Sequence, residues 1–310
     1  MIQFAFVFPG QGSQSLGMLA KLAERFPIVR ETFGVASAVL GYDLWQLTQE
    51  GPVEVLNKTW NTQPALLAAS VAIFLIWRQQ GGKRPLLMAG HSLGEYSALV
   101  CAGVLDFKAA ISLVKRRAQL MQDAVPEGTG AMYAIIGLKN ETVAQACVAS
   151  AHGQIVSPVN FNSPGQVVIA GHKEAVERTG IACKAAGAKR VLPLLVSVPS
   201  HCALMMPAVN DLKMALHDVA FNIPQVPVVN NVDVRIETDP EAIRSALLQH
   251  LYRPVRWSEI VEFIASQGVT LLLEAGPGKV LSDLTKRILN TLKATAVNDP
   301  ASLLAALEQS

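Results

Sequence analysis

The sequence predicts an α/β protein: a large domain with a mainly parallel sheet, and a smaller sheet inserted into it. Two observations carry this. Strand-like runs beginning near residues 3, 86, 226, 270 and 294 are separated by helical periodicities, the alternation that a parallel sheet with covering helices requires. Between Ala131 and Val196 the pattern becomes strand, helix, strand, strand, helix, strand, the βαββαβ order of a ferredoxin-like unit. The boundaries fall near Pro126 and Pro199, which divides the chain into a large domain of residues 1–126 and 199–310 and an insert of residues 127–198.

The elements follow in order. Gln3 to Phe8 is β-rich and stops at Pro9-Gly10-Gln11-Gly12-Ser13-Gln14, after which Leu16, Met18, Leu19 and Leu22 suggest a helix. Gly10-x-Gly12-x-x-Ser15 lacks the third glycine of a dinucleotide fingerprint, and no acidic residue closes a second strand at the expected distance. By themselves Gln11 and Gln63 read as turn-lining and helix-capping amides. The longest apolar run, Pro64 to Trp77, is shorter than the roughly 18 residues of a membrane span and reads as a buried helix.

Leu86-Leu87-Met88-Ala89 then enters Gly90-His91-Ser92-Leu93-Gly94, and Tyr96-Ser97-Ala98-Leu99-Val100 continues as helix. This is the strand, G-x-S-x-G and helix of a nucleophile elbow, which makes the large domain α/β-hydrolase-like. The glycines permit the sharp turn, and Ser92 sits at a helix N-terminus whose free N–H groups stabilise negative charge. A glycine-rich βα turn with an incidental serine has the same spelling. In the helix beginning at Asp106-Phe107, Ala110, Leu113, Val114, Arg117 and Met121 share one stripe, so Arg117 points inward. An inward guanidinium keeps its charge and needs an anion, either an internal carboxylate or a ligand. Lys115 and Arg116 read as solvated charges.

The insert reads as strand Ala131 to Leu138, helix Glu141 to Ala151, strand Ile155 to Phe161, strand Gln166 to Ala170, helix Lys173 to Ala186 and strand Lys189 to Val196. Ser197-Val198-Pro199-Ser200-His201-Cys202 returns to the large domain. A helix from Leu204, a strand at Val226 to Val232, a helix near Glu241 to Leu251 and a strand at Thr270 to Glu274 complete it. Gly276-Pro277-Gly278-Lys279 lacks phosphate-loop spacing.

Composition narrows the chemistry. A chain of 310 residues, 51% hydrophobic and 16% charged with a formal charge of +2, is neither a nucleic-acid binder nor an acidic tail protein. The four cysteines, Cys101, Cys147, Cys183 and Cys202, have no metal-ligand spacing and suit reduced thiols in the cytoplasm. The N-terminal residues carry no charged, apolar and cleavable succession, so no export signal is expected. A serine nucleophile needs a base, and the chain has six histidines. His91 should point away by strand-turn alternation, His152 and His172 fall at the ends of insert helices, and His217 has polar neighbours. His201, at the domain junction, comes first and His250 second; a capping or surface histidine remains the alternative.

Phe8-Pro9-Gly10-Gln11-Gly12-Ser13-Gln14, Gly90-His91-Ser92-Leu93-Gly94-Glu95, Arg117, Asn162-Ser163-Pro164-Gly165-Gln166, Pro199-Ser200-His201 and Glu274-Ala275-Gly276-Pro277-Gly278 together resemble the malonyl-CoA:acyl carrier protein transacylases of fatty acid synthesis. The resemblance runs through essentially the whole chain. It implies malonyl transfer from a coenzyme A thioester to the carrier's phosphopantetheine thiol through a malonyl-Ser92 ester, with His201 as base and neither a metal nor a bound cofactor. It assigns the oxyanion hole to the backbone N–H groups of Gln11 and Leu93, and Arg117 to the malonyl carboxylate, with Gln63, Asn162 and His250 also expected at the substrate.

His250 departs from the family pattern, which has glutamine there. A main-chain carbonyl of that segment orients the catalytic histidine in the family, so the change should be tolerated, although a second imidazole could compete for the proton. Leu93 after the serine favours malonyl over methylmalonyl. Lys189-Arg190 and Lys286-Arg287 are the expected docking points for the acidic carrier, with solvated surface charge as the alternative. A serine thioesterase shares the elbow but calls for a triad acid, and none lies just upstream of His201. A catalytically silent carrier-docking module would not need Ser92, His201 and Arg117 together.

Overall fold

The computed structural model describes residues 2–194, 196 and 198–310. Its strands, in chain order, are β1 (Phe4–Phe8), β2 (Leu87–Gly90), β3 (Gly130–Ile136), β4 (Val156–Ser163), β5 (Gln166–His172), β6 (Arg190–Pro193), β7 (Val228–Val229), β8 (Leu271–Glu274) and β9 (Lys293–Ala296). Five of them form a parallel sheet in the order β7-β2-β1-β8-β9. Helices cover both faces, so the central strand is apolar on both sides. Phe4, Phe6 and Phe8 of β1 point to one face, where Phe6 meets Trp77 at 5.1 Å and Phe74 at 5.6 Å between ring centroids. Ala5 and Val7 point to the other, against Trp257 and Ile260.

Phe74 and Trp77 belong to the helix Thr59–Gln79, which starts earlier than its apolar run. At 21 residues it is long and apolar enough to cross a bilayer, yet 89% of its most apolar stretch is buried inside the protein. The first turns escaped the sequence reading because they are polar. Asn61 Nδ2 donates to Val55 O at 2.8 Å and Thr62 Oγ1 to Leu56 O at 2.6 Å, so these residues are buried with their hydrogen bonds made.

The second sheet has the order β4-β5-β3-β6 with antiparallel pairing throughout, the strand order of a ferredoxin-like unit. Its two helices, Asn140–Ser150 and Lys173–Ala185, bury Val143, Cys147, Val176 and Cys183 against one face. The other face, with Met132 and Val168, packs against Cys202 of the large domain. β4 is tied to that domain by Phe161 N–H to Val255 O at 2.9 Å and Val255 N–H to Val159 O at 2.8 Å. β6 and β7 fall several residues short of the expected runs. β6 pairs only to Pro193, and the expected run to Val196 crosses Leu195, which with Ser197 lies outside the described residues. β7 keeps only Val228 and Val229 of the expected Val226 to Val232, because Asn230 and Asn231 leave the sheet to bond elsewhere.

Candidate active site

β2 ends at Gly90, and Ser92 follows with φ 52°, a left-handed backbone that a serine adopts only under constraint. The flanking glycines explain how. A Cβ on Gly90 would stand 1.8 Å from the Gly94 carbonyl carbon, and one on Gly94 would stand 2.0 Å from Phe8 O. Strand, turn and the helix Gly94–Cys101 therefore close on one another with no room for a side chain at either position. The strain is held by Asn231, whose Oδ1 accepts from Ser92 N–H at 2.9 Å while its Nδ2 donates to Gly90 O at 2.6 Å. Sequence reasoning missed Asn231. The paired amides Asn230-Asn231, ending an apolar strand, were the available signal.

Ser92 Oγ lies 2.7 Å from His201 Nε2, and His201 Nδ1 lies 2.7 Å from the main-chain carbonyl of His250. A carbonyl can only accept, so the proton sits on Nδ1 and leaves Nε2 bare to take the serine proton. Burial, followed by the nearby Arg117 cation, pushes the His201 pKa down to about 3, so the imidazole is neutral at pH 7. The elbow and the loop carrying His201 thus meet as nucleophile and base. A carbonyl occupies the place of a triad acid.

Arg117, 2% exposed, projects from the helix Phe107–Asp123 with its stripe of Ala110, Leu113, Val114 and Met121, all buried. Nη1 donates to Gln63 Oε1 at 2.9 Å, and the guanidinium lies over the Tyr96 ring with its carbon 5.4 Å from the centroid. Among the described residues no carboxylate oxygen comes within 4.0 Å of it, and Nη2 is buried with no hydrogen-bond partner. The internal salt bridge that could have satisfied it is not formed. Lys115, read as solvated, is half-buried and donates to Leu40 O at 3.1 Å.

Gln11, Gln63, Ser92, Leu93, Arg117 and His201 line one cavity. Among the described residues, the backbone N–H groups of Gln11 and Leu93 have no protein acceptor. A roomier hollow of about 450 Å³ beside Phe74 and Val100 is lined by Cys101, whose thiol burial keeps protonated, so chemistry and not volume marks the site.

Three expectations need correction. His91 does not point away: it lines the cavity, and its Nε2 meets Asn162 Oδ1 at 2.7 Å, because the left-handed turn at Ser92 breaks the strand alternation. Asn162 stands behind His91 and does not line the cavity; Asn160, which sequence reasoning missed, does. A register irregularity in β4 between Pro158 and Asn160 re-aims that strand. His250 contributes its carbonyl, while its ring lies behind His201, outside the cavity lining. The basic candidates are exposed, and Lys189 of the insert and Arg287 of the helix Val280–Ile288 line one surface hollow of about 400 Å³. Lys286 is 3.7 Å from Asp283.

Comparison with known proteins adds an independent line. The family model described as acyl transferase domain matches residues 5–306. The chain is 69% identical over 309 residues to the malonyl CoA-acyl carrier protein transacylase of Salmonella typhimurium, covering 100% of both, and 68% identical over 308 residues to that of Escherichia coli K12, covering 99% of this chain and 100% of that one. Among solved structures, a malonyl-transacylase, PlMCAT, in complex with a type II polyketide synthase acyl-carrier protein superposes with TM-score 0.98 at 71% identity, covering 99% of this chain and 100% of that one. An acyl carrier protein S-malonyltransferase from Vibrio cholerae gives 0.95 at 66%, covering 98% and 99%. With nucleophile, base and unpaired arginine converging in one cavity and likeness at this level end to end, the chain belongs to the malonyl CoA-acyl carrier protein transacylase family of acyl transferases.

Proposed function

We propose that the protein transfers malonyl from malonyl-CoA to the phosphopantetheine thiol of acyl carrier protein, supplying fatty acid synthesis, through a malonyl-Ser92 ester. The observation that carries this reading is the unpaired Nη2 of buried Arg117 in the same cavity as the Ser92–His201 couple. Ser92 Oγ attacks the thioester carbonyl as His201 Nε2 takes its proton. The C–S bond breaks, and the proton leaves on the coenzyme A thiol. In the second step the carrier thiol attacks the ester, His201 takes the thiol proton and returns it to Ser92 Oγ. The N–H groups of Gln11 and Leu93, without a protein acceptor among the described residues, are offered to the oxyanion in both steps. Gln63 holds Arg117 for the malonyl carboxylate. Coenzyme A enters as part of the substrate.

Asn162 and the ring of His250 support the site from behind, where the sequence reading had them beside the substrate. The large domain, 1–126 with 199–310, and the insert, 127–198, form the two walls of the cleft. A cytoplasmic location suits the four free thiols.

The test is the intact mass after brief mixing with malonyl-CoA alone. A malonyl adduct is expected, discharged by carrier protein faster than by water. Free malonate as the main product with carrier in excess would favour a thioesterase, a reading that the His250 carbonyl on His201 Nδ1, in place of an acid, already disfavours.

The carrier, an acidic partner in this reading, docks on Lys189, Arg190, Lys286 and Arg287. The convergence of Lys189 and Arg287 on one hollow, from segments far apart in the chain, supports this. Reversing these charges should raise the apparent carrier KM and weaken its salt dependence while acylation by malonyl-CoA persists. Carrier kinetics equal to the parent's would remove these residues from the interface.

A further inference from the structure

His250 has a side chain that the transfer described above does not use. It closes the helix Pro240–Gln249 and is 1% exposed. Its ring lies on that of His201, with centroids 4.7 Å apart and planes 23° apart. Nδ1 stands 3.5 Å from Glu95 Oε2, and neither ring nitrogen has a hydrogen-bond partner among the described residues. Glu95 comes from the first turn of the helix that follows the elbow, is itself buried, and accepts from Asn231 N–H at 3.0 Å. Side-chain contacts therefore run from Glu95 to His250, from His250 to His201 and from His201 to the serine.

We propose that the His250 side chain is a positioning residue for the proton transfer: with Glu95 it forms a displaced acid pair that acts on His201 through the stacked rings, where a triad would place a carboxylate on Nδ1. This rests on the reading of His201 as the base of Ser92. The other charged or titratable groups facing His250 are Arg117, from the helix Phe107–Asp123, and His91, from the elbow; with His201 and burial they disfavour a proton on His250, which stays neutral. Burial, working against the Asn231 hydrogen bonds and the Arg117 cation that also face Glu95, raises the Glu95 pKa to about 8, so this carboxyl keeps its proton at neutral pH. Above that value Glu95 releases the proton to solvent, and its negative charge stands against the His250 edge. An imidazolium forming on His201 is then stabilised from behind. A charge one ring away in a buried site is worth roughly 5- to 30-fold in rate.

The experiment labels Ser92 in the full chain with an uncharged fluorophosphonate ester, which requires the serine and its base but neither malonyl-CoA nor carrier. Rates are followed from about pH 6 to about pH 10, corrected for reagent hydrolysis. The parent is expected to show a roughly 5- to 30-fold rise centred near pH 8, and E95Q and H250Q to show none. Thermal unfolding against pH provides a second readout. The raised Glu95 pKa makes the parent lose stability as pH climbs from about 4.5 towards 8, and E95Q lacks that loss. A flat parent profile, or a full-sized rise retained in H250Q or E95Q, overturns the acid pair and leaves the Ser92–His201 reading standing. Failure of Ser92 to label at any pH overturns that reading as well.

Discussion

Ser92→Ala lowers malonyl transfer by about 10,000-fold or more and removes the malonyl adduct from the intact mass, with His201→Ala close behind. The size follows from the geometry. Ser92 Oγ and His201 Nε2 are 2.7 Å apart and act as one unit, so the double variant should be scarcely slower than the poorer single one. What survives comes from the oxyanion donors and from binding. Ser200 also lines the cavity, but its Oγ donates to Met132 Sδ at 3.6 Å and not to His201. Cys202 follows the base directly, but its Sγ donates to Pro199 O at 3.2 Å, and burial pushes its pKa up to about 11, so it offers almost no thiolate at neutral pH. The measurement is transfer rate together with intact mass on variants whose thermal unfolding matches the parent. A malonyl adduct persisting in Ser92→Ala would place the nucleophile elsewhere.

Arg117→Ala should reverse acyl preference. The parent buries a permanent charge with Nη2 unpaired, a state that the malonyl carboxylate relieves and an acetyl group does not. A site built to bond a polar group rejects an analogue lacking it by up to about 10,000-fold or more, whereas apolar fit alone discriminates weakly. Removing the guanidinium should therefore lower kcat/KM for malonyl-CoA by on the order of 1,000-fold or more while acetyl transfer holds or rises. The same variant has a pH signature. Arg117 is, after burial, the next cause holding the His201 pKa down, so its loss lets that pKa rise. Activity requires neutral His201, and the acid limb of acetyl transfer should move to higher pH. Both thioesters are measured on the same folded variant. A parallel loss for the two would make Arg117 a structural residue.

Local spacing carried much of this site. The inward aim of Arg117 follows from 3.6-residue periodicity, and the elbow follows from two glycines whose Cβ positions are sterically closed. The five parallel strands and the βαββαβ insert were legible for the same reason: burial imposes a period on contiguous residues, and a period can be read without knowing what it packs against. Partnership between polar groups has no such local trace. Ser92 meets His201 across 109 positions and Asn231 across 139, and nothing near Ser92 in the chain specifies either. His201 and His250 could be ranked by position, but only the packing made one ring the base and gave the other a carbonyl to offer and a carboxyl behind it. His91 was misread because the left-handed Ser92 ends the alternation on which its direction was judged. The sequence alone determined the alternation of strands with helices in the large domain, the βαββαβ insert and the inward face of the Arg117 helix. The tertiary structure decided which polar groups meet, because those contacts form between distant segments only once the apolar faces have brought them together.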